Sequence, residues 1–169
     1  TARLLGRNIA VIGSGDLSHK LKDDGPYGFA EEGPEYDARI MDVMGRAAFG
    51  ELFDFSESFC DKAAECGHRS FVMMAGTMDG MSVKTEKLSH EGPFGVGYGV
   101  CVYETEGRAP ERDFLRQYEE KAAKERESRK AAEDDYVRLA RQTVETYVRT
   151  GRKIVVPEGL PDEMYNRRA

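Results

Sequence analysis

The sequence predicts an α/β fold: a mixed β-sheet flanked by helices, with a helical extension at the carboxyl end. Three observations carry that prediction. Ile9-Ala10-Val11-Ile12 is a short apolar run that passes into Gly13-Ser14-Gly15, the pattern of a buried strand. Residues 96–103 alternate with period two, the pattern of a second strand packed on both faces. Tyr36, Ile40, Val43, Met44 and Ala47 fall at helical spacing between them, as do Tyr136, Leu139, Ala140, Thr143, Val144, Tyr147 and Val148 beyond.

The elements follow in order. Residues 1–6 have the composition of a helix tail, closed by Gly6. Residues 20–34, rich in Gly, Pro, Asp and Glu and carrying Tyr27 and Phe29, form a long loop of a length usually functional or mobile. Gly33-Pro34 opens a helix with proline in its first turn. Phe49, Leu52, Phe53 and Phe55 make a dense apolar patch, and Ser56 is a natural N-cap for the helix behind it. Gly67 interrupts, and residues 69–78 are apolar nearly all round, as in a helix buried on most sides. Asp79-Gly80 is a turn, residues 83–89 an edge strand, and residues 90–93 a second turn.

From residue 111 to 135 charge dominates, with Glu120/Lys124 and Glu125/Arg129 at the spacing that supports an exposed helix. The amphipathic stripe beginning at Tyr136 ends at Gly151. Ile154-Val155-Val156-Pro157 and a polar tail follow.

Composition narrows the function. The 169 residues carry a net charge of −6, which argues against nucleic acid as a partner. No apolar run approaches the ~20 residues that span a bilayer, and no signal peptide is evident. Cys60, Cys66 and Cys101, an odd and scattered set, suggest a reducing, cytoplasmic setting rather than a disulfide framework.

Two clusters hold the chemistry. Asp16-Leu17-Ser18-His19, just past the first strand, places a carboxylate and a hydroxyl near an imidazole able to act as a general base. The alternative is a loop capped by its own acid and hydroxyl. Glu65-Cys66-Gly67-His68 sets three metal-ligand types within four positions, without the second cluster of a zinc ribbon or finger. Its plain alternative is a small buried thiol at a helix start. His90-Glu91-Gly92-Pro93-Phe94-Gly95 lacks the lysine and spacing of a phosphate loop and is at most the rim of a site. Met73, Met74 and Met78 are expected in the core, with Cys60 and Cys101 buried and inert.

Taken together, Gly13-Ser14-Gly15-Asp16-Leu17-Ser18-His19, residues 64–70 and residues 91–98 resemble the carboxyl-terminal half of the LigB-type class III extradiol dioxygenase superfamily, closest to its Memo-like branch. Residues 135–141, through to 165–168, are similar to the start of an AMMECR-type domain. The resemblance implies three parts: a half-domain over 1–106, a charged helical linker over 107–133, and the beginning of the second domain over 134–169. It implies ferrous iron and cleavage of a small aromatic diol by dioxygen. His19 matches the acid/base histidine, with Asp16 beside it as its partner in catalysis. Cys66, with Glu65 adjacent, matches the metal-ligand segment; a thiolate there would favour copper. Ser18, His68 and His90 would line the substrate pocket. The family's two histidine ligands lie in an amino-terminal half, so that half, the AMMECR-type domain and further copies of the chain are the expected partners. The alternatives are a non-catalytic, Memo-like scaffold that binds a metal or peptide, and an accessory protein in cofactor or nucleotide modification.

Overall fold

The computed structural model describes residues 5–155, 158–161, 163 and 164. It is an α/β structure in which a two-stranded antiparallel sheet is flanked by helices. The helices are α1 (Glu32–Gly45), α2 (Glu57–Ala63), α3 (His68–Gly76), α4 (Phe114–Ala131) and α5 (Asp135–Thr150). The strands are β1 (Met81–Glu91) and β2 (Tyr98–Arg108), and a 3-10 turn spans Phe49–Asp54. The chain divides into two compact units at Glu119/Glu120.

In the first unit α1 is the hub. Tyr36, Ile40, Met41, Val43 and Met44 are buried and pack with Leu17, Phe49, Leu52, Phe55, Ala63 and Phe71. The sheet lies on α1 through one face. The Tyr103 hydroxyl donates to the Met44 carbonyl at 3.0 Å, and Thr85 Oγ1 to the same oxygen at 3.4 Å. Ser56 caps α2 as expected, its Oγ accepting from the Phe59 amide at 3.2 Å. In the second unit, Asp134 caps α5 at the Val137 amide and Gly151 closes it in the left-handed conformation. Arg141 is held by Glu133 and Glu145 there, while Val137, Val144, Tyr147 and Val148 are exposed. No residue of α4 is buried, in keeping with its charge pattern.

Four expectations need correction. Residues 9–12 join no ladder, and Ile12 is 86% exposed, because a strand exists only where a second backbone satisfies its amides and no described segment pairs with it. β2 begins at Tyr98 rather than residue 96 and is covered on one face only: Cys101 and Tyr103 point inward, whereas Tyr98, Val100 and Val102 are exposed. β1 runs through His90 and Glu91, so the turn falls at residues 92–97. In α3, Phe71 and Ala75 are buried but Met73 is 69% exposed, since the short helix has the core on only one side. Of the expected helix tail at residues 1–6, residues 1–4 lie outside the described residues, and Gly6 has the positive φ of a C′ glycine. Residues 165–168, with Val156 and Pro157, likewise lie outside them.

Candidate metal and acid/base site

The first thing that builds the site is a contact between two glycines. A Cβ on Gly15 would stand 2.3 Å from Gly67 Cα, so these two backbones meet only because neither carries a side chain. The contact brings residues 15–16 against the loop between α2 and α3. The Asp16 amide then donates to Cys66 Sγ at 3.2 Å, and the Cys66 amide to the Asp16 carbonyl at 3.4 Å.

A second set of bonds fixes the backbone one step further on. Ser18 is wholly buried. Its amide donates to Asp37 Oδ1 at 2.8 Å, its Oγ donates to the Ala63 carbonyl at 2.8 Å, and the same Oγ accepts from the Lys20 amide at 2.9 Å. Its carbonyl accepts from the Gly97 amide at 2.7 Å, and the His19 amide reaches the Ala63 carbonyl at 3.2 Å. With four ties on Ser18 alone, the backbone that carries His19 has little freedom.

His19 therefore projects into a defined place. Its Nε2 lies 3.5 Å from Asp16 Oδ2, beyond good hydrogen-bond geometry. Among the described residues it is the buried side-chain nitrogen or oxygen left without a hydrogen-bond partner. Asp16, His19 and Cys66 each offer one ligand atom, and the three atoms lie within 4.8 Å of one another. A carboxylate, an imidazole and a thiol, with an orphaned imidazole nitrogen between them, fit a bound metal ion; buried polar atoms otherwise find partners. The sulfur favours a softer ion than oxygen ligands alone would.

The remaining candidates are placed differently. Glu65 turns toward the start of α3, where Oε2 accepts from the His68 amide at 2.6 Å. His68 is buried, with Nδ1 3.2 Å from the Tyr36 hydroxyl and Nε2 3.0 Å from the Leu52 carbonyl, so both ring nitrogens are engaged in the core. Burial holds the Tyr36 hydroxyl well above the ordinary phenol range, with the Glu65 charge adding to it. His90 pairs with Asp37 at 2.9 Å through Nε2. Ser18 lies behind the site rather than open to it.

Three contributors were not singled out by pattern. Asp37 is only 2% exposed and ties Ser18 to His90. Its signal was an acid one position from Tyr36, four from Met41, on the face of α1 that the apolar spacing marks as inward. Gly97 admits it, since a Cβ there would collide with the Asp37 carboxylate. Tyr27 stacks on His19, with ring centroids 5.0 Å apart and planes tilted by 30°.

Comparison with known proteins places this geometry. Residues 2–101 match the family described as the catalytic LigB subunit of aromatic ring-opening dioxygenase. The chain belongs to the LigB family. The match takes in both Asp16–His19 and Cys66, and it reaches into β2. The chain is also 37% identical over 161 residues to a Clostridium acetobutylicum protein, CA_C1420, covering 95% of this chain and 34% of that protein. It thus spans about a third of the length of the curated relative it matches. Among the described residues no helix is long and apolar enough to cross a membrane.

Proposed function

We propose that this LigB-family chain supplies one wall of an extradiol-dioxygenase-like metal site. Cys66 Sγ would hold the metal, and His19, partnered by Asp16, would move the proton. The observation that carries this reading is the buried, unpartnered His19 Nε2 set among Asp16 Oδ2 and Cys66 Sγ. A ferrous ion in such a site, when bound, supplies open positions where a diol and dioxygen meet. The chain's own contribution is to fix the imidazole through Ser18 and to keep Asp16 beside it. Asp16 can then stabilise the imidazolium formed when His19 accepts a proton from a bound hydroxyl. The substrate class is a small aromatic diol, by family likeness.

One observation favours a second reading. Of the two adjacent candidates, the thiol rather than the Glu65 carboxylate faces His19. A thiolate suits copper, as in a Memo-like scaffold without ring cleavage.

Cobalt(II) titration of the chain tests metal binding. A sulfur-to-cobalt absorption band is expected; Cys66→Ser should abolish it, and Asp16→Asn or His19→Gln should weaken affinity by about ten- to hundredfold. Persistence of the band in Cys66→Ser refutes the ligand assignment. Oxygen uptake with a catechol by the iron-loaded chain, alone and together with the amino-terminal LigB-type half proposed as its partner, separates the two readings: uptake supports the dioxygenase, and copper binding without uptake supports the scaffold.

One further feature supports the reading that the chain has a partner. A trough of about 1650 Å³ opens between residues 7–13 and β2, lined by Ile9, Val11, Met41, Met74 and Val102. Ile9, Val11 and Val102 are exposed there among polar residues such as Arg7 and Glu104, and exposed apolar clusters rimmed by polar residues suit an interaction site. We assign it to the rest of a LigB-type domain, or to a second copy of the chain. A monodisperse, stably folded monomer of the 169 residues in ultracentrifugation would refute that assignment.

A further inference from the structure

The loop ahead of α1 carries a residue with no role so far. Residues 20–30 form a closed excursion rather than a slack connection. Leu21 and Phe29 make an isolated antiparallel bridge, and the Ala30 amide donates to the Lys20 carbonyl at 3.2 Å across its neck. Inside it the Gly25 amide bonds the Lys22 carbonyl at 3.1 Å, and the Gly28 amide bonds the Gly25 carbonyl at 3.2 Å. The loop is also anchored outward. The Leu21 amide donates to the Gly95 carbonyl at 3.0 Å, and Lys22 Nζ to the Pro93 carbonyl at 2.9 Å. A Cβ on Gly95 would press to 3.1 Å from Gly25 Cα, so the loop and the turn before β2 sit backbone to backbone.

The product of this construction is Tyr27. Tyr27 is 59% exposed, yet its ring stacks on the His19 imidazole, with centroids 5.0 Å apart. No apolar core demands that position. His19 itself is held firmly at its backbone, but its side chain could still rotate outward. The tyrosine ring covers one side of the imidazole, and Nε2 is buried near Asp16 and Cys66.

We infer that Tyr27 is a positioning residue: it locks the His19 imidazole with Nε2 turned toward Asp16 and Cys66, and it shields that nitrogen from solvent until a ligand displaces it. The functional meaning of this rests on His19 being the proton carrier proposed above, but the packing does not, and the test reads the packing directly. The contact is aromatic, so phenylalanine should serve and aliphatic or small residues should not.

The experiment is carbethoxylation of the metal-free 169-residue chain with diethylpyrocarbonate, followed by peptide mass mapping of each histidine. The chain supplies its own controls. His68, with both nitrogens engaged, should stay unreactive while the fold is intact, and His90, whose side chain is 36% exposed, sets the rate of an accessible imidazole. Tyr27→Ala and Tyr27→Leu should raise the His19 rate relative to His90 by about three- to tenfold, the equivalent of one aromatic pair. Tyr27→Phe should match the parent. Retained protection of His68 in both aliphatic variants shows that the gain is local. The inference is overturned if His19 reacts as fast as His90 in the parent chain, if neither Tyr27→Ala nor Tyr27→Leu changes its rate, or if Tyr27→Phe behaves like Tyr27→Ala. Loss of metal binding in the cobalt experiment would leave this result untouched, so the two readings fail separately.

Discussion

Replacing Gly15 by alanine should dismantle the Asp16–His19–Cys66 cluster while most of the fold survives. The new Cβ would stand 2.3 Å from Gly67 Cα, 2.9 Å from its nitrogen and 3.0 Å from the Cys66 carbonyl. All three are backbone atoms, so no rotamer change can clear them. Carbon atoms rest at about 3.5–4.0 Å, so one backbone must retreat by more than about 1 Å. Overpacking of that size costs about 1–3 kcal/mol, and the thermal midpoint should fall by several degrees. The displacement acts along the line that joins residues 15–16 to the Cys66 loop. It should break the 3.2 Å bond from the Asp16 amide to Cys66 Sγ and spread the Asp16, His19 and Cys66 side chains. Cobalt affinity should drop by at least about tenfold, the lower end of what loss of ligand support costs. Gly76→Ala is the matched control. It is the last residue of α3, a Cβ there meets open space, and its φ is ordinary. That substitution should leave metal affinity alone and be neutral or stabilising by about 0.4–1 kcal/mol. If Gly15→Ala binds cobalt and melts like the parent chain, contact between the two glycines is not what assembles the donors.

Three further outcomes follow from the same geometry. Asp37→Ala strips the buried Ser18 amide of its acceptor and should destabilise the chain by about 1–3 kcal/mol in denaturant unfolding, whereas Asp37→Asn, which keeps an oxygen toward Ser18, should cost clearly less; equal losses would refute the role given to that bond. Stability should fall as pH rises above 9. Burial pushes the Cys60 thiol up to about 11 from 9.0 and raises the phenols of Tyr36 and Tyr103 above 10.0. The unfolded chain therefore releases those protons first, each group contributing a slope of at most about 1.4 kcal/mol per pH unit. A melting temperature flat from pH 8 to 11 would contradict this. In the metal-free chain at pH 8, Ellman's reagent should titrate one thiol quickly, the exposed Cys66, and Cys60 and Cys101 slowly, because burial raises both thiols; two thiols in the fast phase would count against the packing described.

Local elements were legible where local rules decide them. Ser56 as an N-cap, Gly67 as a break and Gly151 as a stop are each settled by a few neighbouring residues, and all three stand as read. The inward face of α1 was legible from its spacing. The candidate site was legible in part: the motif holding Asp16 and His19 and the one holding Cys66 were found separately, and the structure brings them together. Nothing in the pattern could say that Glu65 would turn to the helix start and Cys66 toward His19. That choice depends on Ala64, whose φ of 53° puts it in the left-handed region without being glycine, so no residue type announced the reversal.

Periodicity also reports which residues are fit to be buried, without saying what buries them. Ile9-Ala10-Val11-Ile12 and the outward row Tyr98, Val100 and Val102 have the composition of sheet interior, yet both are open to solvent, and residues 9–12, Val100 and Val102 line a common trough. On its inner side, β2 meets Met41 of α1 and the loop residue Leu17, against which Gly99 packs too closely for a side chain. The trough is lined from both sides of β2, by Met41, Cys101 and Tyr103 as well as by Val100 and Val102. Two uncovered apolar faces with the pattern of strands, in a chain that spans a third of its matched relative, are the surface expected where more of a LigB-type sheet would sit. Asp16 and His19 follow the first of those segments within seven residues, so under the proposed function the segment that closes the trough is the candidate source of the remaining metal ligands.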